Sequence, residues 1–305
     1  MNAKTIAVTG ASGQQGGVVA RRMIAEGWRV CALTRDASKP KAQELAGLGA
    51  ELLPGDMEQP AQLEAAFKGA DAVFSVQNYW LPNVGFEGEV RQGKLVVDAA
   101  RAAGVGHFVY SSVGAAHRGL GQRHFDSKYL IEQYLQASGL PYTILRPVAF
   151  MENFNWPWNR PAILSGSLPS FGLRLEKTMQ MVAVEDIAAF VALALAQPEK
   201  YLGQTIELAG DEQTETQIAE TFSKVIGRPV ALKAAGGDGS DGGSQPPNEE
   251  MIAVVRFFNG EAYTADIAAL RRVHPGLLTL EQYLRKSGWE KAEPVPLAEG
   301  QGNWS

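Results

Sequence analysis

An apolar strand, Ile6-Ala7-Val8, runs into Gly10-Ala11-Ser12-Gly13-Gln14-Gln15-Gly16 and then into a helical stripe of Val18, Val19, Met23 and Ile24 that stops near Gly27. This order constrains the fold sharply. A strand that ends in a tight turn needs glycines where a Cβ would block phosphates, and the helix that follows aims its free N–H groups and positive dipole end at a diphosphate. Gly10 is expected to make the turn, Gly13 to let the backbone approach the phosphates, and Gly16 to let helix pack on strand. Ser12, Gln14 and Gln15 complete the cradle. The spacing is Gly-x-x-Gly-x-x-Gly, so the strand-to-helix context carries the argument rather than the triplet itself.

The pattern that follows is an alternation. Apolar strands at 29–33, 51–53, 72–75, 107–110 and 142–145 are separated by helical stretches at 42–48, 60–67, 90–103 and 126–137. Repeated βα units with apolar strands predict a doubly wound parallel sheet of Rossmann type, covered by helices on both faces. From Pro147 the alternation gives way to a stretch rich in proline, aromatics and asparagine, through Asn155-Trp156-Pro157-Trp158 to Gly172. Regular structure returns with a helix at 184–195, a strand at 205–208 and a helix at 217–226, followed by helical patterns at 249–258 and 280–287. Residues 1–154 are therefore assigned to a dinucleotide-binding domain completed by 183–211. A smaller α/β lobe of 155–182 and 212–305 is expected to close over the nicotinamide end, with a flexible glycine-rich loop at 234–248 and a frayed end at 294–305.

With 305 residues, 45% of them hydrophobic, the chain has ample material for a core. A net charge of −5 gives no basic footprint, so direct nucleic-acid binding is not expected. The single cysteine, Cys31, lies in an apolar run and reads as a buried structural thiol. His107, His117, His124 and His274 are scattered without ligand spacing, so no metal site is expected. No signal core or membrane span is visible, which points to a cytoplasmic protein.

The ends of the strands carry the candidate chemistry. Thr34-Arg35-Asp36 follows the second strand, where the adenine ribose of a dinucleotide would lie. Arg35 would grip a 2′-phosphate and favours NADP(H) over NAD(H), whereas Asp36 argues the other way. After the third strand, Asp56 either accepts from the adenine amino group or caps a turn, and Met57 packs on the ring. Val76, Gln77 and Asn78 follow the fourth strand, where the nicotinamide half would sit. Tyr79 and Trp80 there either wall a pocket or seal the domain junction.

Ser111-Ser112 follows the fifth strand, and Lys128 lies in the next helix. This arrangement resembles the short-chain dehydrogenase/reductase superfamily, whose signature is a serine after strand five and Tyr-x-x-x-Lys in the next helix; here His124 stands where the tyrosine would be. More narrowly, the run from Gly10 to Gly16, Thr34-Arg35, Gly55-Asp56, Asn78-Tyr79-Trp80, Arg91-Gln92-Gly93-Lys94, His124-Phe125-Asp126 with Lys128, and Arg146-Pro147 with Glu152-Asn153-Phe154 look like the NmrA-like family. The likeness spans most of the chain up to about Tyr201.

The resemblance implies NAD(P) binding, with Lys128, Pro147, Phe150 and Asn153 added to the cofactor site and Ser111, Ser112, His124 and Lys128 as candidate catalytic residues. It also implies two kinds of role. Well-known members are cofactor sensors or co-regulators that work through protein partners, and close relatives are NADPH-dependent quinone reductases that lack the tyrosine. His124 and Lys128, four apart, share one helix face; His124 either donates a proton or only fixes the helix. The expectation is a redox sensor or regulator with a protein partner, or else a reductase passing hydride to a quinone or similar small electrophile.

Overall fold

The structure, a computed structural model, describes residues 3–233 and 249–294. The glycine-rich segment at 234–248 and nearly all of the stretch expected to fray lie outside the described residues. The chain begins β1 (Thr5–Val8), α1 (Gln14–Ala25), β2 (Arg29–Thr34), α2 (Pro40–Gly47), β3 (Glu51–Pro54), α3 (Pro60–Phe67) and β4 (Ala72–Ser75). It continues with α4 (Gly85–Ala102), β5 (His107–Ser111), α5 (Arg123–Ala137) and β6 (Tyr142–Pro147). Next come β7 (Ala149–Phe150), α6 (Asn159–Leu164), β8 (Ser167–Pro169), β9 (Thr178–Val182), α7 (Val184–Ala196), α8 (Pro198–Tyr201) and β10 (Thr205–Leu208). The last elements are β11 (Asp211–Thr214), α9 (Glu215–Ile226), β12 (Ala231–Lys233), α10 (Glu249–Asn259), α11 (Ile267–Val273) and α12 (Leu280–Lys286).

Two compact units divide these elements, the first of Met1–Pro147 with Val184–Leu208 and the second of Val148–Ala183 with Ala209–Ser305. The first holds a seven-stranded sheet in the order β3-β2-β1-β4-β5-β6-β10. Every pairing in it is parallel. This is the doubly wound Rossmann-type sheet that the alternation predicts, and its strand order reverses between β1 and β4.

Alternation along the strands sorts the core into two layers. Ala7, Leu33, Val73, Phe108, Tyr110 and Ile144 face one way and pack with Phe67 of α3, Val96 and Val97 of α4 and Ile131 and Leu135 of α5. On the other face α1 and α7 pack together. Gly93 sets the spacing of the first layer. A Cβ there would lie 2.4 Å from Ile131 Cδ1, so only glycine lets α4 come this close to α5.

Two helices begin earlier than their apolar periodicity indicates. α4 starts at Gly85 rather than at 90, because Gly85, Glu87, Gly88 and Glu89 carry no apolar stripe. α5 starts at Arg123 rather than at 126, which puts His124 in its first turn.

In the second unit, β9 pairs antiparallel with β11 and parallel with β7, and β8 pairs parallel with β12. Thr214 and Thr279 start α9 and α12 with reciprocal capping boxes to Gln217 and Gln282. Trp289 is fully buried, with the Arg160 guanidinium 4.3 Å above its ring and Phe222 at its edge.

Candidate functional site

The glycine-rich turn is built from the end of β1. Thr9 N–H donates to Phe74 O, and the Thr9 hydroxyl accepts from Val76 N–H at 3.0 Å and donates to Val76 O, which ties the turn to the segment leaving β4. Gly10 has φ +59°, the left-handed region that glycine enters without strain. Gly13 N–H donates to Gly10 O at 2.8 Å and caps α1 with no side chain. A Cβ on Gly16 would lie 2.3 Å from Gly10 O and 2.7 Å from Thr9 O, so helix and turn touch backbone to backbone. The first turn of α1 has no acidic residue, leaving its N-terminal N–H groups and dipole to attract an anion. Ser12 is half-buried and Gln14 exposed.

At the end of β2, Arg35 is exposed, and no ion pair or hydrogen bond to the described residues holds its guanidinium. Asp36 is engaged locally. Its Oδ1 accepts from Ser38 N–H at 2.9 Å and from the Ser38 hydroxyl at 2.6 Å, bonds that hold its carboxyl below the usual range. Asp56 N–H donates to Gln62 Oε1, and Asp56 Oδ1 accepts from Glu58 N–H, a local turn that favours the capping role for this aspartate.

Met57 is half-buried with its sulfur 3.8 Å from Gln77 Nε2. Gln77 is buried; its Nε2 donates to Ser75 Oγ, while its Oε1 has no partner among the described residues. Asn78 Oδ1 accepts from Trp80 N–H. The segment after β3 is held by a network that sequence reasoning does not find. Arg91 makes two hydrogen bonds to the Glu58 carboxylate, at 2.7 and 2.9 Å, and Gln92 adds a third.

Of the two serines, Ser111 ends β5 and Ser112 follows it, and they face opposite layers. Ser111 donates to Gln15 Oε1 at 2.6 Å, joining the glycine-rich loop on the α1 side. Ser112 N–H donates to Leu145 O, continuing the ladder, so alternation turns the Ser112 side chain to the α4–α5 side. There its hydroxyl is buried with no partner among the described residues. Lys128 of α5 lies in that same layer, with its ammonium 2.8 Å from Oε1 of the fully buried Glu89 of α4.

His124, one turn earlier on α5, packs its ring against Trp80 at 5.3 Å, Tyr79 at 5.9 Å and Phe125 at 4.6 Å. Trp80 is 63% exposed. Buried Pro147 ends β6, and its carbonyl oxygen accepts from Gly114 N–H. Phe150 and Asn153 belong to the second unit, where Phe150 pairs with Val182 and Asn153 O accepts from Asn159 Nδ2.

Within the first unit, the glycine-rich turn and the strand ends beside it have the chemistry to take a nicotinamide dinucleotide. Gly16 of the cradle has no room for a Cβ, the helix end facing it carries no acid, and Gln77 Oε1 and Ser112 Oγ are buried polar atoms without partners among the described residues. Among those residues no cluster of histidine, cysteine or carboxylate side chains could hold a metal ion, and no helix is long and apolar enough to cross a membrane.

A reversed parallel strand order with a glycine-rich turn at the switch point defines an α/β protein with an NAD(P)-binding fold. The NmrA-like family model matches residues 2–284, and the chain belongs to that family. It is 32% identical over 251 residues to an NmrA-like family domain-containing oxidoreductase, ptmS, of Penicillium ochrochloron, covering 74% of each chain. Among solved structures it resembles the Citrobacter sp. triphenylmethane reductase complexed with NADP(H), with a TM-score of 0.77 and 25% identity over 93% of this chain and 99% of that one. It also resembles NmrA, a negative transcriptional regulator, in complex with NAD, with a TM-score of 0.77 over 94% and 95% of the chains. At 20% identity this last likeness shows the fold alone.

Proposed function

We propose that this chain is an NADPH-dependent reductase that delivers hydride to a flat, conjugated electrophile of the quinone kind. The observation that carries the reading is Lys128, held by a buried carboxylate in the same layer as the Ser112 hydroxyl, which has no partner among the described residues, and one helical turn from His124. That the Penicillium relative is an oxidoreductase and the Citrobacter protein a triphenylmethane reductase supports it. The preference for NADPH rests on Arg35, which is exposed with no partner among the described residues and could meet a 2′-phosphate, while Asp36 is occupied by Ser38.

Bound NADPH would supply a hydride, which carries two electrons and one proton. Lys128 would hold the nicotinamide ribose and add positive potential where negative charge develops on the acceptor. Ser112 would donate its hydroxyl proton as a hydrogen bond at the same place. Trp80 and Tyr79, braced by His124, offer aromatic faces for a flat ring. Reduction of a quinone leaves a stabilised phenolate, which takes its proton from water, so the absent tyrosine is not required.

The reading is tested by titrating the protein with NADPH and NADH and then supplying quinones to the NADPH complex. Saturable NADPH binding with many turnovers per protein supports it. Saturable binding with no turnover on any acceptor would favour a cofactor sensor acting through a protein partner.

A further inference from the structure

Glu89 lies in the second turn of α4 and is fully buried, yet both of its carboxylate oxygens are engaged. Oε1 accepts from the Lys128 ammonium at 2.8 Å and Oε2 from the Ser127 hydroxyl at 2.5 Å. Gly93 and Ile131 explain the reach. They lie one turn beyond Glu89 and Ser127, and the missing side chain at Gly93 lets the two helices close until the carboxylate meets the ammonium.

Other charges in this layer are already committed. Glu132 takes two hydrogen bonds from Arg146, at 3.0 and 2.6 Å, and so does not compete for Lys128. Tyr110, buried on β5, is kept neutral by burial and by the nearby Glu89 and Glu132 carboxylates.

We propose that Glu89 is a positioning residue for Lys128: it fixes the ammonium in one place and leaves the remaining donors to a bound nicotinamide dinucleotide, while Ser127 fixes the carboxylate. An ammonium has three donors, and Glu89 takes one. Without that bond the four-carbon stem regains its rotamer freedom, and the cofactor must bear the cost of ordering it. This inference rests on the reading of the chain as an NADPH-binding protein. The rival is that Glu89 only ties α4 to α5, as Asp98 and Tyr134 do further along the same helices with a 2.8 Å hydrogen bond.

The test is a fluorescence titration with NADPH of the wild type, Glu89→Gln, Lys128→Met, their double variant and Tyr134→Phe, with thermal denaturation of each. Glu89→Gln is expected to weaken NADPH binding about tenfold, and to weaken it less than about twofold further in the Lys128→Met background. Tyr134→Phe, which removes only a tie between the helices, should melt earlier and bind NADPH like the wild type. Should Glu89→Gln fail to fold, Glu89→Asp keeps the charge but retracts it, and is expected to weaken binding about three- to tenfold. Wild-type affinity in the folded Glu89 variant, or losses that multiply in the double variant, would overturn the inference. No saturable binding by the wild type would overturn the NADPH reading itself, and this inference with it.

Discussion

Ser111 and Gln15 lie 96 residues apart in the chain and share a hydrogen bond of 2.6 Å. It ties the strand end that carries the candidate serines to the loop expected to hold the phosphates, and it separates Ser111 from Ser112 in role. Ser111→Ala should weaken NADPH binding by about two- to tenfold, the worth of one neutral hydrogen bond, with turnover at saturating cofactor preserved. Ser112→Ala should instead lower turnover. Steady-state kinetics with NADPH varied in both variants separates them, and the reverse pattern would exchange their roles.

Gly16→Ala tests the cradle. The added methyl would have to displace the backbone of Thr9 and Gly10, since the nearest atoms are carbonyls rather than flexible side chains. Overpacking of this kind costs about 1–3 kcal/mol, here imposed on the binding loop, and should weaken NADPH binding by about ten- to a hundredfold. Calorimetric titration of the folded variant measures it, and unchanged affinity would remove the turn from the phosphate site.

Arg35→Ala addresses cofactor choice. A charge-assisted contact to the 2′-phosphate predicts a loss of about tenfold or more for NADPH, with NADH nearly unchanged. Equal losses for the two cofactors would take Arg35 away from the 2′-phosphate.

A pH signature comes from His107. Thr143 donates its only hydroxyl proton to Tyr201 O, so it accepts from His107 Nε2–H at 2.8 Å. Burial pushes the His107 pKa from 6.5 down to about 4. Between these values the unfolded chain binds a proton that the folded chain does not, so this group's contribution to stability is lost as pH falls from about 6.5 to about 4. The gap in urea midpoint between wild type and His107→Gln should therefore narrow from pH 7 to pH 4.5. An equal gap at both pH values would contradict the assignment.

The first unit was legible because each of its signals is local. A strand, a glycine turn and an apolar helix stripe lie within 25 residues, and apolar strands recur at βα spacing. Glu89 was not legible, because the apolar stripe of α4 begins at Val90 and its partner Lys128 lies 39 residues away. The Glu58–Arg91–Gln92 network was hidden in the same way: its motif could be seen, but its closure across 33 residues could not. In the second unit, strands such as β7, with two residues, and β12, with three, are too short to show a period, and only their pairing defines them.

The measurement that bears most directly on the central claim is NADPH oxidation under multiple-turnover conditions with a naphthoquinone acceptor, comparing wild type with Lys128→Ala. The account predicts sustained turnover by the wild type and a loss of about a hundredfold or more in the variant, as expected when a positioned charge at the reacting centre is removed. A wild-type trace no faster than buffer despite bound NADPH, or turnover indifferent to Lys128, would contradict it.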